Sequence, residues 1–265
     1  MNRRFPRADT ALLKKDFYEI WSLRGIRLLL IVLPLLVSVI LPVIFLLVIL
    51  LIPIGGAESA VRLLSLIPVS DFEYGIREGL FCLVTDRICP MLFLSVPIII
   101  SAVTTSSCFV GERERGTIET LLLTPLSPKR LARIKLSGCM MLSLLVTVLS
   151  FILFTVAASV GDILLKIPFF LNAEWLITLF LLAPLFALLS ALCVLYFSGH
   201  EQRHDQAFRT SSFLMFPVVF MYTLPFAGLY QLNPIVLLFL SLFLLCLDFV
   251  LLVSLPHRFT AEKLL

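Results

Sequence analysis

Three places in the sequence hold residues whose types and spacing could do chemistry. His200-Glu201-Gln202-Arg203-His204 fits the pattern H-E-x-x-H. On a helix, histidines four apart share a face and can bind Zn²⁺, with the glutamate as general base for hydrolysis. A catalytic zinc takes three protein ligands; the candidates for the third are Asp205, adjacent to the motif, and Asp248 and His257 far along the chain. The segment that holds the motif begins at Ser198-Gly199, in a short polar stretch that offers no dry, preorganised cleft. It reads better as a polar turn that begins a helix. Asp248 is the one acid well inside an apolar run. An intramembrane carboxylate marks a cation or proton site, or a contact for a basic substrate; the plainer reading is a bundle-facing carboxyl that is protonated or bonded to a polar neighbour.

The third place is Gly111 to Lys135, GERERGTIETLLLTPLSPKRLARIK. Gly116 breaks the preceding helix, and Thr117 can cap a new one with Glu119 in its first turn. Ile118, Leu121 and Leu122 form an apolar face, which Thr124-Pro125 ends. Ser127-Pro128 restarts the chain as an N-cap followed by proline at the first helical position. A short helix pinned at both ends, with an apolar side and a charged approach, suits force transmission from a soluble partner; a loop tucked against lipid headgroups is the alternative. No G-x-x-x-x-G-K-[ST] occurs, so the chain offers no phosphate-cradling loop of that kind.

The elements that must position these residues follow from composition. Of 265 residues, 60% are hydrophobic and 14% charged, against about 45–50% and about 25% in soluble domains. That balance excludes a disordered chain, a disulfide scaffold and a cytosolic enzyme, and predicts an all-α integral membrane protein. Six runs approach the roughly 20 residues a helix needs to cross a bilayer: Leu28–Ile52, Ile88–Val110, Leu136–Ser159, Trp175–Phe197, Ser212–Leu232 and Ile235–Leu255. Only Asn233-Pro234 turns the chain between the last two.

Lys and Arg counts give the expected orientation. Seven lie in the first 27 residues, six between Gly111 and Lys135, two between Ser198 and Ser211 and two in the tail, 17 of the 21. The other four are Arg62, Arg77, Arg87 and Lys166. Both termini are therefore expected in the cytoplasm. Residues 1–27 form a cytoplasmic segment too charged for a secretory signal; within it Leu13, Phe17, Ile20 and Trp21 share one face of an interfacial amphipathic helix. Residues 28–255 form the six-span membrane domain, with a coupling segment at 111–130, and 256–265 a cytoplasmic tail. Pro53 to Arg87 is expected as an outer loop with room for one or two surface helices, and Asp162 to Trp175 as a second one. Prolines 34, 42, 90, 97, 184, 217 and 225 fall in or beside spans and predict kinks. The six cysteines show no framework spacing; Cys82 and Cys89 could pair, but free thiols are the expected state.

The run Glu112-Arg113-Glu114-Arg115-Gly116-Thr117-Ile118-Glu119-Thr120-Leu121-Leu122-Leu123-Thr124-Pro125 resembles the signature of type-2 ABC exporter permeases. In that family E-x-E-x-G-T-x-E-x-L-L-x-T/S-P follows the second span and forms the coupling helix that contacts the ATPase. A basic amphipathic amino-terminal helix, six spans, cytoplasmic termini and Asp205-Gln206-Ala207 after the fourth span extend the resemblance. It implies a multi-pass permease subunit of a prokaryotic cell membrane, dimerising with an identical or second permease chain. Glu112, Glu114, Gly116, Thr117, Glu119, Leu121, Leu122 and Pro125 would couple to separate ATPase subunits. ATP and Mg²⁺ would be bound by those partners; this chain would hold no cofactor or metal, would not itself be an enzyme and would not bind nucleic acid. The short first outer loop departs from the family's longer members, which leaves the cargo undefined. Spans with almost no charge fit an apolar or amphipathic one, such as a peptide, lipid-like molecule or drug. The alternative function is an intramembrane zinc metalloprotease built on the HEQRH segment.

Overall fold

In hydrocarbon a backbone must satisfy its own hydrogen bonds, and an open chain achieves this only as helix. The computed structural model follows that rule, short connections apart, in the part it describes: residues 14–15, 17–18, 20–51, 75–114, 128–197, 205–227 and 233–254. Beside the helical residues between Lys14 and Ser22, ten α-helices are delimited there: α1 (Arg24–Leu35), α2 (Leu41–Leu51), α3 (Ile76–Leu83), α4 (Cys89–Phe93), α5 (Ser95–Glu114), α6 (Pro128–Leu165), α7 (Ala173–Ile177), α8 (Ala183–Phe197), α9 (Asp205–Thr223) and α10 (Pro234–Ser254). No strand occurs among the described residues.

Five helical stretches are long and apolar enough to cross a membrane: Arg24–Leu51, Arg77–Phe109, Arg130–Leu165, Ala173–Tyr196 and Pro234–Ser254. The chain is thus a multi-pass, all-helical membrane protein. Where a fifth of six spans is expected the structure has a helix, α9, but its apolar part is only Ser212–Thr223, shorter than a membrane crossing needs. Its first turns, Asp205 to Thr210, are polar, and Leu224–Ala227 tightens to 3₁₀ helix around Pro225.

Three wide π turns interrupt the spans, at Leu36–Ile40, Val84–Ile88 and Thr178–Leu182. In each, the N–H of the next residue (Leu41, Cys89, Ala183) reaches back five positions, to the carbonyl of Leu36, Val84 or Thr178. The residue after that is a proline: Pro42, Pro90, Pro184. Proline lacks the N–H and its ring displaces the carbonyl four positions back, so the turn before it widens. The kinks expected at these prolines therefore take one common form.

Several expected boundaries shift. The second helical stretch starts at Ile76 rather than Ile88, so Ile76–Arg87 is not loop but the first turns of a membrane-length helix; its charged residues hide it from a hydropathy reading. The helix α6 runs on to Leu165, past the expected start of a loop at Asp162. It ends in a Schellman motif, with Lys166 at φ 54° and the Ile167 N–H bonded to the Asp162 carbonyl at 3.0 Å. The Asp162 carboxylate then accepts the Phe170 N–H at 3.1 Å, folding the short connection over the bundle. Near the amino terminus, Lys14 and Ser22 are helical, Leu23 breaks the helix, and Arg24 already belongs to α1. Of the expected apolar face, Ile20 is buried while Phe17 and Trp21 are exposed and stacked at 6.2 Å; Leu13 lies outside the described residues. All six cysteines are free. Cys82 and Cys89 stand on one helical stretch, about 10 Å apart along its axis, beyond disulfide reach.

The helix α5 is the hub, packing against α8, α6, α9 and α1. At one end of the bundle Phe93, Phe151, Phe154, Phe170 and Trp175 form a cluster, with Phe154 and Trp175 centroids 4.7 Å apart. We call this the Trp175 end. Large apolar side chains of α1, α2, α6 and α10 face outward, as lipid contact requires.

Candidate functional site

Two places combine buried polar groups with candidate residues. The first is the junction of α5 and α6, at the end of the bundle opposite Trp175. The helix α5 carries the chain to Glu114, so Glu112 and Glu114 are its last residues. Gly116, Thr117, Glu119, Leu121, Leu122 and Pro125 lie outside the described residues, as does His200 to His204. The chain re-emerges in α6 at Pro128, where Ser127-Pro128 predicts a helix start.

The base of this hairpin is tied by Lys135. Sequence counting places Lys135 at the end of the Gly111–Lys135 loop; the structure buries it, 2% exposed, on the α5-facing side of α6. Its ammonium donates to the Cys108 carbonyl on α5 at 3.1 Å and stands 5.7 Å over the Phe109 ring. A lysine stem lying along apolar surface while its head finds a carbonyl and a ring is a stable way to bury this charge. Further along the same seam the Ser143 hydroxyl donates to the Pro97 carbonyl at 3.2 Å. On the opposite side of α5, Ser101 donates to the Ala187 carbonyl at 2.6 Å, and Ser190 returns the bond to the Ile98 carbonyl at 2.8 Å. The second and fourth spans are thus locked reciprocally. The sequence signal for this was present in the hydroxyls Ser101, Thr104, Thr105, Ser106 and Ser107 within an otherwise apolar run.

The second place is Asp248. It lies on the buried face of α10 with Leu237, Ser241 and Leu244, and is 2% exposed. Among the described residues, neither of its carboxyl oxygens has a hydrogen-bond partner. Across from it stands α8, whose Cys193 packs against the same core as Leu237 and Leu244. The nearest hydroxyl on its own face, Ser241, donates to the Leu238 carbonyl at 2.7 Å and is not directed to Asp248. A polar neighbour bonded to the carboxyl, one of the two plainer expectations, is not what the structure shows.

The two places are separate. Asp248 contributes to the α8–α10 seam, and Lys135 to the α5–α6 seam. Among the described residues no cluster of three or more His, Cys, Asp or Glu is arranged to hold a metal ion. No known protein family, curated protein or solved structure matches the chain.

Proposed function

We propose that this chain is a permease subunit of an ATP-driven exporter of the type-2 ABC kind. The observation that carries the reading is the run Glu112 to Pro125 set between two bundle helices. It leaves the end of α5 at Glu114 and returns into α6 at Pro128, and Lys135 ties those helices together at its base. A push on such a segment reaches α5, the most buried of the spans, instead of being lost in a slack loop. In this reading α9 completes six spans, both termini are cytoplasmic, and residues 14–22 lie along the membrane surface, with Lys14 and Lys15 toward anionic headgroups. Two permease chains form the path, separate subunits bind ATP and Mg²⁺, and the cargo is apolar or amphipathic.

The test is gentle purification of the tagged chain from native membranes. An ABC ATPase is expected to co-purify, with hydrolysis that depends on this chain. Replacing Glu114, Glu119 or Leu121 should then uncouple hydrolysis from transport while the spans stay folded. Normal transport by those variants would remove the coupling role. Bound zinc and proteolysis, both lost on replacing His200 and His204 while export is unaffected, would favour the protease.

A further inference from the structure

An acid inside a membrane bundle has few stable states. A carboxylate with no donor and no counter-charge is strongly disfavoured in an apolar interior, so the group must carry a proton or hold a cation. For a hard cation several oxygen ligands must converge. Around Asp248 the core offers Leu244 on its own helix, Leu247 and Leu251 on the adjoining rows, and Cys193 from α8. The Ser241 hydroxyl is committed to its own helix. That is an apolar recess for a carboxylic acid and not an oxygen cage.

The charged and titratable groups on the elements packed against α10 agree. The helix α10 contacts α8, α7 and the π turn Thr178–Leu182. From α8 come Cys193 and Tyr196; α7 brings Glu174, which pairs with Arg87 at the Trp175 end; the π turn brings no ionisable residue. No lysine, arginine or histidine of these elements stands ready to neutralise a carboxylate. Asp248 is six residues from Ser254, about 9 Å along the axis, so water at that end is the nearer proton acceptor.

We propose that Asp248 is an intramembrane proton-binding site whose occupancy latches α10 onto α8. With the O–H bond intact, the neutral acid stays in the α8–α10 seam. When that bond breaks and the proton passes to water, the remaining carboxylate draws water into the seam and the two helices part. This rests on the membrane-span reading alone and stands whether or not an ATPase drives the chain.

Two measurements on the full-length protein in phosphatidylcholine vesicles test it. The first is the infrared C=O stretching band of a protonated carboxyl, expected at pH 7 in the wild type and absent from Asp248→Asn. The second is the rate of Cys193 alkylation by N-ethylmaleimide, followed by mass spectrometry, as the ratio of wild type to Asp248→Asn. Taking the ratio cancels the thiol's intrinsic pH dependence, and a nearby carboxylate would only slow alkylation, so a rise reports opening of the seam. The ratio should rise by about ten-fold or more from pH 6 to pH 9.5, the size of a population shift that opens the seam. If Asp248→Asn does not fold, Asp248→Glu replaces it: the band shifts instead of vanishing. A missing band at pH 7, or a flat ratio, overturns the proposal. So does a band that Na⁺ or K⁺ removes at constant pH, which would make the site a cation site.

Discussion

On the α5 side of α8, buried polar groups answer one another: Ser101 donates to Ala187, and Ser190 to Ile98. On the α10 side of the same helix, Asp248 is buried with neither oxygen bonded. The first seam is also closely approached. Ala183, Ala187 and Ala191 repeat every four residues on α8, all fully buried, and small side chains let two backbones come near enough for a serine to reach the opposite carbonyl. The second seam is lined by leucines around one acid. A bundle gains rigidity from paired hydroxyls and close contact; it gains a charge-dependent joint from an unpaired acid. The contrast suggests that α5 and α8 move as one body and that α10 is the element able to leave it.

The largest expected effect comes from breaking the close approach. Ala187→Leu adds bulk where there is no exposed surface to accept it. Overpacking of this kind costs about 1–3 kcal/mol, read as a loss of thermal or denaturant stability in detergent micelles. Placing the same extra bulk at Leu238, 46% exposed on the outward side of α10, should be nearly silent. Equal losses at both positions would mean that the α5–α8 seam is no tighter than the rest.

A contrast in sign comes next. Removing a polar group that lacks a partner removes a desolvation cost, so Asp248→Val is expected to stabilise the fold by up to about 1–3 kcal/mol. Removing a paired hydroxyl does the opposite: Ser190→Ala should destabilise by about 0.6 kcal/mol, the average for hydrogen bonds between membrane helices. Both shifts are measured by equilibrium unfolding at one pH. If the two substitutions move stability in the same direction, the seams do not differ in the way argued.

How far the sequence foretold this depends on what hydropathy can register. Four of the five apolar stretches, and Asp248 as the acid within the last, were legible because lipid-facing helices are apolar nearly all round. The helix start at Pro128 was legible from Ser127-Pro128. The start of the second stretch was not: Arg77, Glu78, Asp86 and Arg87 read as loop residues, yet all four are helical, and Asp86 and Arg87 meet Asn172 and Glu174 of a distant segment. Lys135 was misplaced too; its carbonyl partner is 27 residues away. The prolines foretold bends, but not that three of them would each follow a π turn. The Glu112 to Pro125 run was expected between the second and third spans, and α5 ends at Glu114 and α6 starts at Pro128 on either side of it; Gly116 to Pro125 lies outside the described residues.

The smallest effect tests whether the second and fourth spans are joined along their length or only in their buried middle. At the Trp175 end Arg87 and Glu174 approach to 3.5 Å, with side chains about a fifth exposed, 21% and 24%. The pair links the same two spans as the Ser101 and Ser190 bonds, one on the π turn Val84–Ile88 and the other on α7. Water reaches it, so the Coulomb gain is screened and partly offset by ordering two long side chains. A double-mutant cycle with Arg87→Ala and Glu174→Ala should give a coupling of about 0.2–1 kcal/mol, smaller still at high salt because mobile ions screen it. The Ser190 effect, shielded within the bundle, should not change with salt. A coupling that stayed above about 1 kcal/mol at high salt would mean that this end is closed as firmly as the middle, and that the π turn beside it is held fixed instead of left free to bend.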